Sequence, residues 1–357
     1  MKRLATKWSG RRRSAGRTSP AVVIGAGLGG LCCAAYLARA GLPVTVVERH
    51  HKVGGYASSF TRGRFTFEVS LHGSSLKASV PRRILSDLEI HQKLELTPLP
   101  DFYRLVGGAV DLTVPQCAPE AYVDLLKHHF PRESEGISRF VNTLLTIIDE
   151  INHLHEAGGR VFKPLFPLRY PEMWRWRKAT LAELTAACVK DPHLANLLGS
   201  LWCYFGLPPS RLSAFYYAAA VGEFLKYGSW YVGPRSQQLS HLLQAAVRKA
   251  GGEVVTGVAA TDILLENGRT AAVALSDGSR LSAPVVIANL SPKTVLTRLL
   301  PAHLRNQRRL RPYADNRPSL SAFIVWLGLR GGLPPTLKGA EYHVTMPTGP
   351  EAEYRAA

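Results

Sequence analysis

The sequence predicts an α/β fold: a parallel-sheet domain that carries an antiparallel β-meander, with a mainly helical α+β domain inserted into it. Three observations predict this. Residues 21–48 read as strand, glycine turn, helix, strand. Residues 76–230 show helical patterns broken by prolines. Residues 231–290 return to helix, strand, two hairpin signals and a last apolar strand. Strands alternating with helices favour a parallel sheet, and strands joined by two-residue turns favour an antiparallel one. A length of 357 residues suits two domains.

Composition narrows the class. Hydrophobic residues make up 46% of the chain and charged residues 20%, which excludes long disorder, collagen and a small disulfide scaffold. Net charge is +18. Lys2, Arg3, Lys7, Arg11, Arg12, Arg13 and Arg17 lie in a stretch 1–20 without acid, read as a basic tail; the body is basic without them. Such a surface favours anionic partners but does not choose among them. Cys32, Cys33, Cys117, Cys188 and Cys203 are odd in number and contain no CxxC, so neither a disulfide framework nor a zinc site is expected. A reducing, cytoplasmic setting follows.

Residues 21–38 form an uncharged run behind the basic leader. That pattern resembles a signal peptide or membrane span. Gly25, Gly27, Gly29 and Gly30 argue against a continuous helix. Gly41 then ends the run, and VTVVE follows at 44–48. The apolar strand 21–24 therefore leads into a glycine turn and a helix from Leu28 to Ala40.

The turn Gly25-Ala26-Gly27-Leu28-Gly29-Gly30 is a GxGxxG. Gly25 permits a tight turn, Gly27 lets a pyrophosphate approach the backbone, and Gly30 lets the helix pack close to the sheet. The helix N-terminus offers free N–H groups and a positive dipole end to the phosphates. Glu48 ends the second strand, where a carboxylate can bind a ribose diol and repel a 2′-phosphate. A GxGxxG alone is weak; strand, helix, second strand and acid together predict a dinucleotide site of Rossmann type. A glycine-rich turn serving packing only is the alternative.

A second glycine pair, Gly54-Gly55, follows the acid in ERHHKVGGYASSF, and RGRFTFEVSLHG runs from Arg62 to Gly73. From Val22 to Gly73 the chain resembles the FAD-binding start of the phytoene desaturase, carotenoid isomerase and retinol saturase family. The stretch 62–73 is similar to that family's GFxFDxGxH, with Glu68 for the usual aspartate and His72 at the motif histidine. Tyr56 departs from the basic or small residue that often follows the pair. The resemblance implies FAD, with Gly54 and Gly55 near its diphosphate. Further on it takes in Tyr231-Val-Gly-Pro-Arg-Ser and Asn289-Leu-Ser-Pro292, and implies a glutathione-reductase-like second half in which the Val258 backbone contacts adenine. The candidate cofactor-binding set is Gly25, Ala26, Gly27, Leu28, Gly29, Gly30, Glu48, Arg49, Gly54, Gly55 and Val258. No catalytic residue and no metal ligand is assigned, and the histidine pairs do not share a helical face.

The expected division is 1–20 tail, 21–75 first FAD-binding part, 76–230 substrate domain, 231–300 second FAD-binding part and 301–357 a further substrate-domain piece. Ile137–His155 reads as an amphipathic helix. Asn267-Gly268 and Asp277-Gly278 read as hairpin turns. Ten aromatics between Trp202 and Tyr231 form either an aromatic core or a channel for a long apolar substrate. Trp174-Arg175-Trp176-Arg177-Lys178 suits either a membrane–water interface or an ordinary surface patch.

The resemblance implies an FAD-dependent oxidoreductase acting on the C–C or C=C bonds of a lipophilic carotenoid or retinoid, with possible peripheral membrane contact. No nucleic-acid partner is expected, and the electron acceptor is left open. A flavin amine oxidase, or a nucleotide-binding chain without turnover, are the alternatives. The resemblance covers Val22 to roughly Arg330, and nothing like the family's later glycine-rich segment over the flavin follows. A fragment that loses FAD readily is therefore expected.

Overall fold

Ala21–Ile24 (β1), Leu28–Arg39 (α1) and Val44–Glu48 (β2) realise the predicted strand, helix and strand. A computed structural model describes residues 20–107, 110–159, 162–305, 307–314, 316, 319–331, 341–344 and 348–356. The basic stretch 1–20 lies, apart from Pro20, outside the described residues.

The chain divides into two units. The first comprises the described residues of Met1–His72, Ile84–Glu95 and Val232–Arg317. Its four-stranded sheet has the order Val285–Ala288, β1, β2, Glu253–Thr256, and every pairing is parallel. β1 is buried throughout because both faces of this sheet are covered. Side chains alternate along each strand. Val22, Ile24 and Val47 pack on one face against Ile263, Val273 and Leu275 of the antiparallel meander Ala260–Glu266, Arg269–Leu275, Arg280–Ser282. α1 packs with the helix Gln237–Lys249. In the first hairpin Asn267 (φ 50°) and Gly268 (φ 72°) both take positive φ, the type I′ geometry that matches strand twist.

Residues 84–95, expected with the inserted domain, pack in this unit instead. Tyr36 donates to Asp87 Oδ2 at 2.9 Å, and Lys249 and Arg39 meet Glu89 at 2.7 and 3.7 Å. The described residues of 301–317 also group here rather than with the substrate domain.

The second unit comprises the described residues of Gly73–Arg83, Leu96–Tyr231 and Pro318–Ala357. The expected amphipathic helix spans Ser134–Glu156 and buries Ile137, Phe140, Val141, Leu144 and Ile147. It lies close against the helix Ala214–Tyr227: a Cβ at Gly222 would stand 2.8 Å from the Leu144 carbonyl oxygen. A small sheet orders Tyr342–Val344, Tyr103–Gly107 and Val110–Val114.

The aromatic block of 201–231 resolves largely as core. Trp202 and Tyr217 are buried, and Phe205, Phe215 and Phe224 pack against the same cluster. Tyr103, Tyr122, Phe140 and Tyr217 meet without room for a water molecule. Tyr204 and Tyr216 point to solvent. Of the two alternatives, core or channel, the described residues favour core: half of these aromatics lie in or against the packed interior. No helix among the described residues is long and apolar enough to cross a membrane.

Candidate functional site

The fingerprint sits where β1 ends and α1 begins. Gly25 has φ +102°, a conformation L side chains rarely adopt. Its N–H donates to the Val47 carbonyl at 2.8 Å, which ties the turn to β2. A Cβ at Gly30 would lie 2.0 Å from the Gly25 carbonyl oxygen, so only glycine fits there. Gly27 differs. It caps the helix with φ −67° and ψ 172°, and a Cβ there would meet only Asn289 Oδ1, at 3.9 Å. The space before Gly27 is open, as close approach of a phosphate requires.

Leu28, Gly29 and Gly30 form the first turn of α1. Their N–H groups precede the first intrahelical bond, Leu31 N–H to the Gly27 carbonyl at 3.0 Å. No side chain caps this end, and no acid stands in the first turn. That leaves a cluster of donors and a positive dipole end for an anion.

Glu48 is fixed by the same turn. Ala26 N–H donates to its Oε2 at 2.8 Å and His50 N–H to its Oε1 at 2.9 Å. Each carboxylate oxygen keeps acceptor capacity for a sugar hydroxyl. Arg49, next in the chain, is exposed.

The second glycine pair lies directly on the first loop. Gly54 N–H donates to the Ala26 carbonyl at 2.7 Å, and Gly27 and Gly54 form a parallel bridge. Gly54 has φ +117°, and a Cβ there would stand 2.4 Å from the Ala57 carbonyl oxygen and 2.5 Å from Ser240 Oγ. A Cβ at Gly55 would be in ordinary contact with Gly27 Cα, at 3.5 Å. Gly25 through Gly30, Glu48, Gly54 and Gly55 therefore share one place.

Val258 has one of its two backbone polar groups already engaged. It follows the strand Glu253–Thr256, beside the end of β2, but its N–H donates to the Glu48 carbonyl at 3.1 Å. The neighbouring Gly257 N–H donates to the His50 carbonyl at 2.9 Å. Parallel pairing carried past the strand end occupies the amide, so a base could use only the Val258 carbonyl.

Sequence reasoning missed the residues that hold this site together. Asn289 follows the strand Val285–Ala288; its N–H donates to the Ile24 carbonyl at 2.9 Å, and it lies over Gly25 and Gly29. Gln237 Nε2 donates to the Val53 carbonyl at 2.9 Å and Ser240 Oγ to the Ala57 carbonyl at 2.7 Å, pinning the second glycine loop. Glu68 accepts from Ser236 N–H at 3.0 Å and from its hydroxyl. Its longer side chain thus tethers the hairpin Ser59–Arg62, Phe65–Glu68 to the helix start. Asn289 and Ser236 belong to the stretches Asn289–Pro292 and Tyr231–Ser236, which carry the family resemblance. His72 is exposed, with Nδ1 2.9 Å from the Ser70 carbonyl oxygen.

Burial holds the thiols of α1 toward their protonated form. Burial, then the neighbouring Cys33, pushes the Cys32 thiol up to about 11, and burial raises that of Cys33. Among the described residues no group of three or more His, Cys, Asp or Glu side chains could hold a metal.

Comparison with known proteins decides the family. A family model described as flavin containing amine oxidoreductase matches residues 28–353. The chain belongs to the flavin containing amine oxidoreductase family. Membership makes the cofactor a flavin, and the dinucleotide fingerprint makes it FAD. Among relatives of this flavin-family chain, all-trans-retinol 13,14-reductase of Rattus norvegicus is 27% identical over 334 residues, covering 87% of this chain and 54% of that protein. The Homo sapiens reductase is 28% identical over 331 residues, covering 87% and 53%. A lycopene-forming phytoene desaturase of Pantoea ananas is 25% identical over 317 residues, covering 87% and 63%. The chain spans about half the length of the retinol reductases it matches. A solved protein of Pyrococcus furiosus superposes with TM-score 0.59 at 18% identity, covering 84% of this chain and 65% of that one. Cyclohexylamine oxidase from Brevibacterium oxydans gives TM-score 0.53 at 16% identity, covering 82% and 63%. At such identities these two structures establish the shared fold.

The glycine cradle fits an FAD diphosphate. It combines free helix-end donors, an open approach at Gly27, a fixed carboxylate at Glu48, and a second glycine turn that no Cβ could enter at Gly54.

Proposed function

We propose that this chain is the FAD-holding part of an oxidoreductase that acts on carbon–carbon bonds of a lipophilic polyene, a carotenoid or retinoid, met at a membrane surface. One observation carries the reading. A two-loop dinucleotide cradle occurs in a chain whose relatives are named retinol 13,14-reductase and phytoene desaturase. In this reading the N–H groups of Leu28, Gly29 and Gly30 hold the pyrophosphate, with Gly54 and Gly55 alongside. Glu48 accepts from the ribose hydroxyls, and the Val258 carbonyl faces the adenine. Ser240, Gln237 and Asn289 keep the two glycine loops in register, so the donors are set before the cofactor arrives. Bound there, the flavin supplies two-electron exchange with the polyene, and the protein supplies orientation and exclusion of water. No side chain of this chain is assigned a proton-transfer role.

The test is the visible spectrum of the purified protein, followed by identification of the released cofactor and by anaerobic titration with a carotenoid or retinoid. FAD in the supernatant and a polyene-dependent change in the flavin spectrum are expected. Release of NADP without flavin would overturn the cofactor assignment. The family's name also covers amine oxidation. A flavin that responds to a primary amine and ignores polyenes would replace the polyene reading.

A further inference from the structure

The second unit carries an apolar surface that its own core does not explain. Residues 162–178 fold as three short turns: Lys163–Leu165, Phe166–Arg169 and Pro171–Trp176. They present two apolar sets. Tyr170, Met173 and Trp176 are buried and complete the core around the helix Ser134–Glu156. Phe162, Leu165, Leu168 and Trp174 face solvent, at 70%, 51%, 81% and 41% exposure. Leu165 and Leu168 stand three residues apart in consecutive short helical turns, a spacing that brings side chains near one another.

The segment is anchored rather than loose. Buried Glu150 of the long helix accepts the N–H of Glu172 at 3.1 Å and of Met173 at 2.7 Å. Its carboxylate therefore caps the third turn, and Tyr170 locks the entry to it. The outward set is held in place by the inward one.

Charge identifies the occupant. Lys163, Arg169, Arg175, Arg177 and Lys178 belong to the same segment as the exposed apolar residues, and all five are exposed. The one carboxylate in the segment, Glu172, accepts from Trp176 Nε1 at 2.8 Å. The Arg177 guanidinium lies 3.4 Å from the Trp174 ring centroid and Arg175 lies 4.9 Å from that of Trp176. Exposed apolar side chains interleaved with exposed cations, one of them stacked on an exposed indole, suit the boundary of an anionic bilayer, where acyl region, headgroups and phosphates lie in that order.

We propose that the surface formed by residues 162–178 docks on anionic lipid membranes. Leu165, Leu168 and Trp174 enter the headgroup–acyl boundary, and the five cations lie at the phosphates. This deepens the proposed reaction by giving its polyene a source. It is measured separately, because vesicle binding needs no polyene and flavin content needs no vesicles.

The experiment is sedimentation of the full chain with vesicles of phosphatidylcholine alone and of equal parts phosphatidylcholine and phosphatidylserine. Binding to the second and little to the first is expected, weakening as salt rises. The chain is basic throughout, so charge variants alone do not localise the contact. Leu165→Ser with Leu168→Ser changes no charge and alters exposed positions; it should reduce binding by at least about tenfold. Lys163→Gln with Lys178→Gln should cost about thirtyfold. Phe323→Ser, at a residue 94% exposed elsewhere in the unit, should leave binding unchanged. Brominated lipid should quench tryptophan fluorescence, and Trp174→Phe should remove most of that quenching. Equal vesicle binding by the leucine double variant and the parent chain would overturn the proposal. So would self-association abolished by that variant without any vesicle binding, which would assign the surface to a second copy of the chain.

Discussion

Gly27→Ala separates cofactor binding from folding, because Gly27 is open where its neighbours are closed. A Cβ at Gly30 would sit 2.0 Å from a carbonyl oxygen, whereas at Gly27 nothing approaches closer than 3.9 Å. The φ of Gly27 is −67°, so alanine adopts it without strain. Removing the freedom of glycine from the unfolded chain then stabilises the protein by about 0.4–1 kcal/mol. The same methyl group stands in front of the first turn of α1, where a phosphate must touch backbone. One lost charge-assisted hydrogen bond costs about 1.5–3 kcal/mol, or ten- to more than a hundredfold in FAD affinity. The assays are thermal melting of flavin-free protein and the flavin-to-protein absorbance ratio after gel filtration. The expected result is an unchanged or slightly raised melting temperature with a lower ratio. Stoichiometric FAD in Gly27→Ala would refute the placement of the diphosphate. A flavin-free variant that melts several degrees lower would refute the account of the open turn.

Three further outcomes are expected. Glu48→Ala leaves the Ala26 and His50 amides without their carboxylate and should cost about 1–3 kcal/mol of stability, read by urea unfolding, as well as FAD. Glu48→Gln should recover part of the stability. Cys32, with its thiol near 11, should be about a thousandth ionised at pH 8, so its alkylation, mapped by mass spectrometry, should rise tenfold per pH unit above that. Labelling at pH 8 as fast as a free peptide thiol would contradict its burial. In the second unit burial opposes the charge of His343, but hydrogen bonding of its ring with Cys203 and to the Glu341 carboxylate, and the charge of Glu341, outweigh it and raise its pKa to about 9. The stabilisation is complete below the ordinary histidine range and is lost as pH rises through about 9. An NMR titration of the ring should show this midpoint, and Glu341→Gln should lower it; a midpoint near 6.5 in the parent chain would refute the pairing.

The sequence by itself determined the parts whose physics is local. Strand 21–24, the GxGxxG turn, α1 and β2 follow from an apolar run, glycines and a terminal acid within thirty residues. Asn267-Gly268 forced a hairpin because both residues tolerate positive φ. The amphipathic period of Ser134–Glu156 gave away both the helix and its buried face. What the tertiary structure decided are contacts between residues far apart in the chain. Ser240 reaches Ala57 across 183 residues, Gln237 reaches Val53 across 184, and Asn289 closes over Gly25. A glycine pair shows that a turn is permitted; it does not show which turn it will rest on. The same limit applied to the aromatics of 201–231, where composition could not distinguish core from channel. It applied to Val258, whose amide was taken by a strand neighbour. Residues 162–178 showed tryptophans and cations in sequence, but only packing determined that Trp176 turns inward and Trp174 outward. Side-chain direction depends on which neighbouring element covers each face, and that is settled only when distant segments meet.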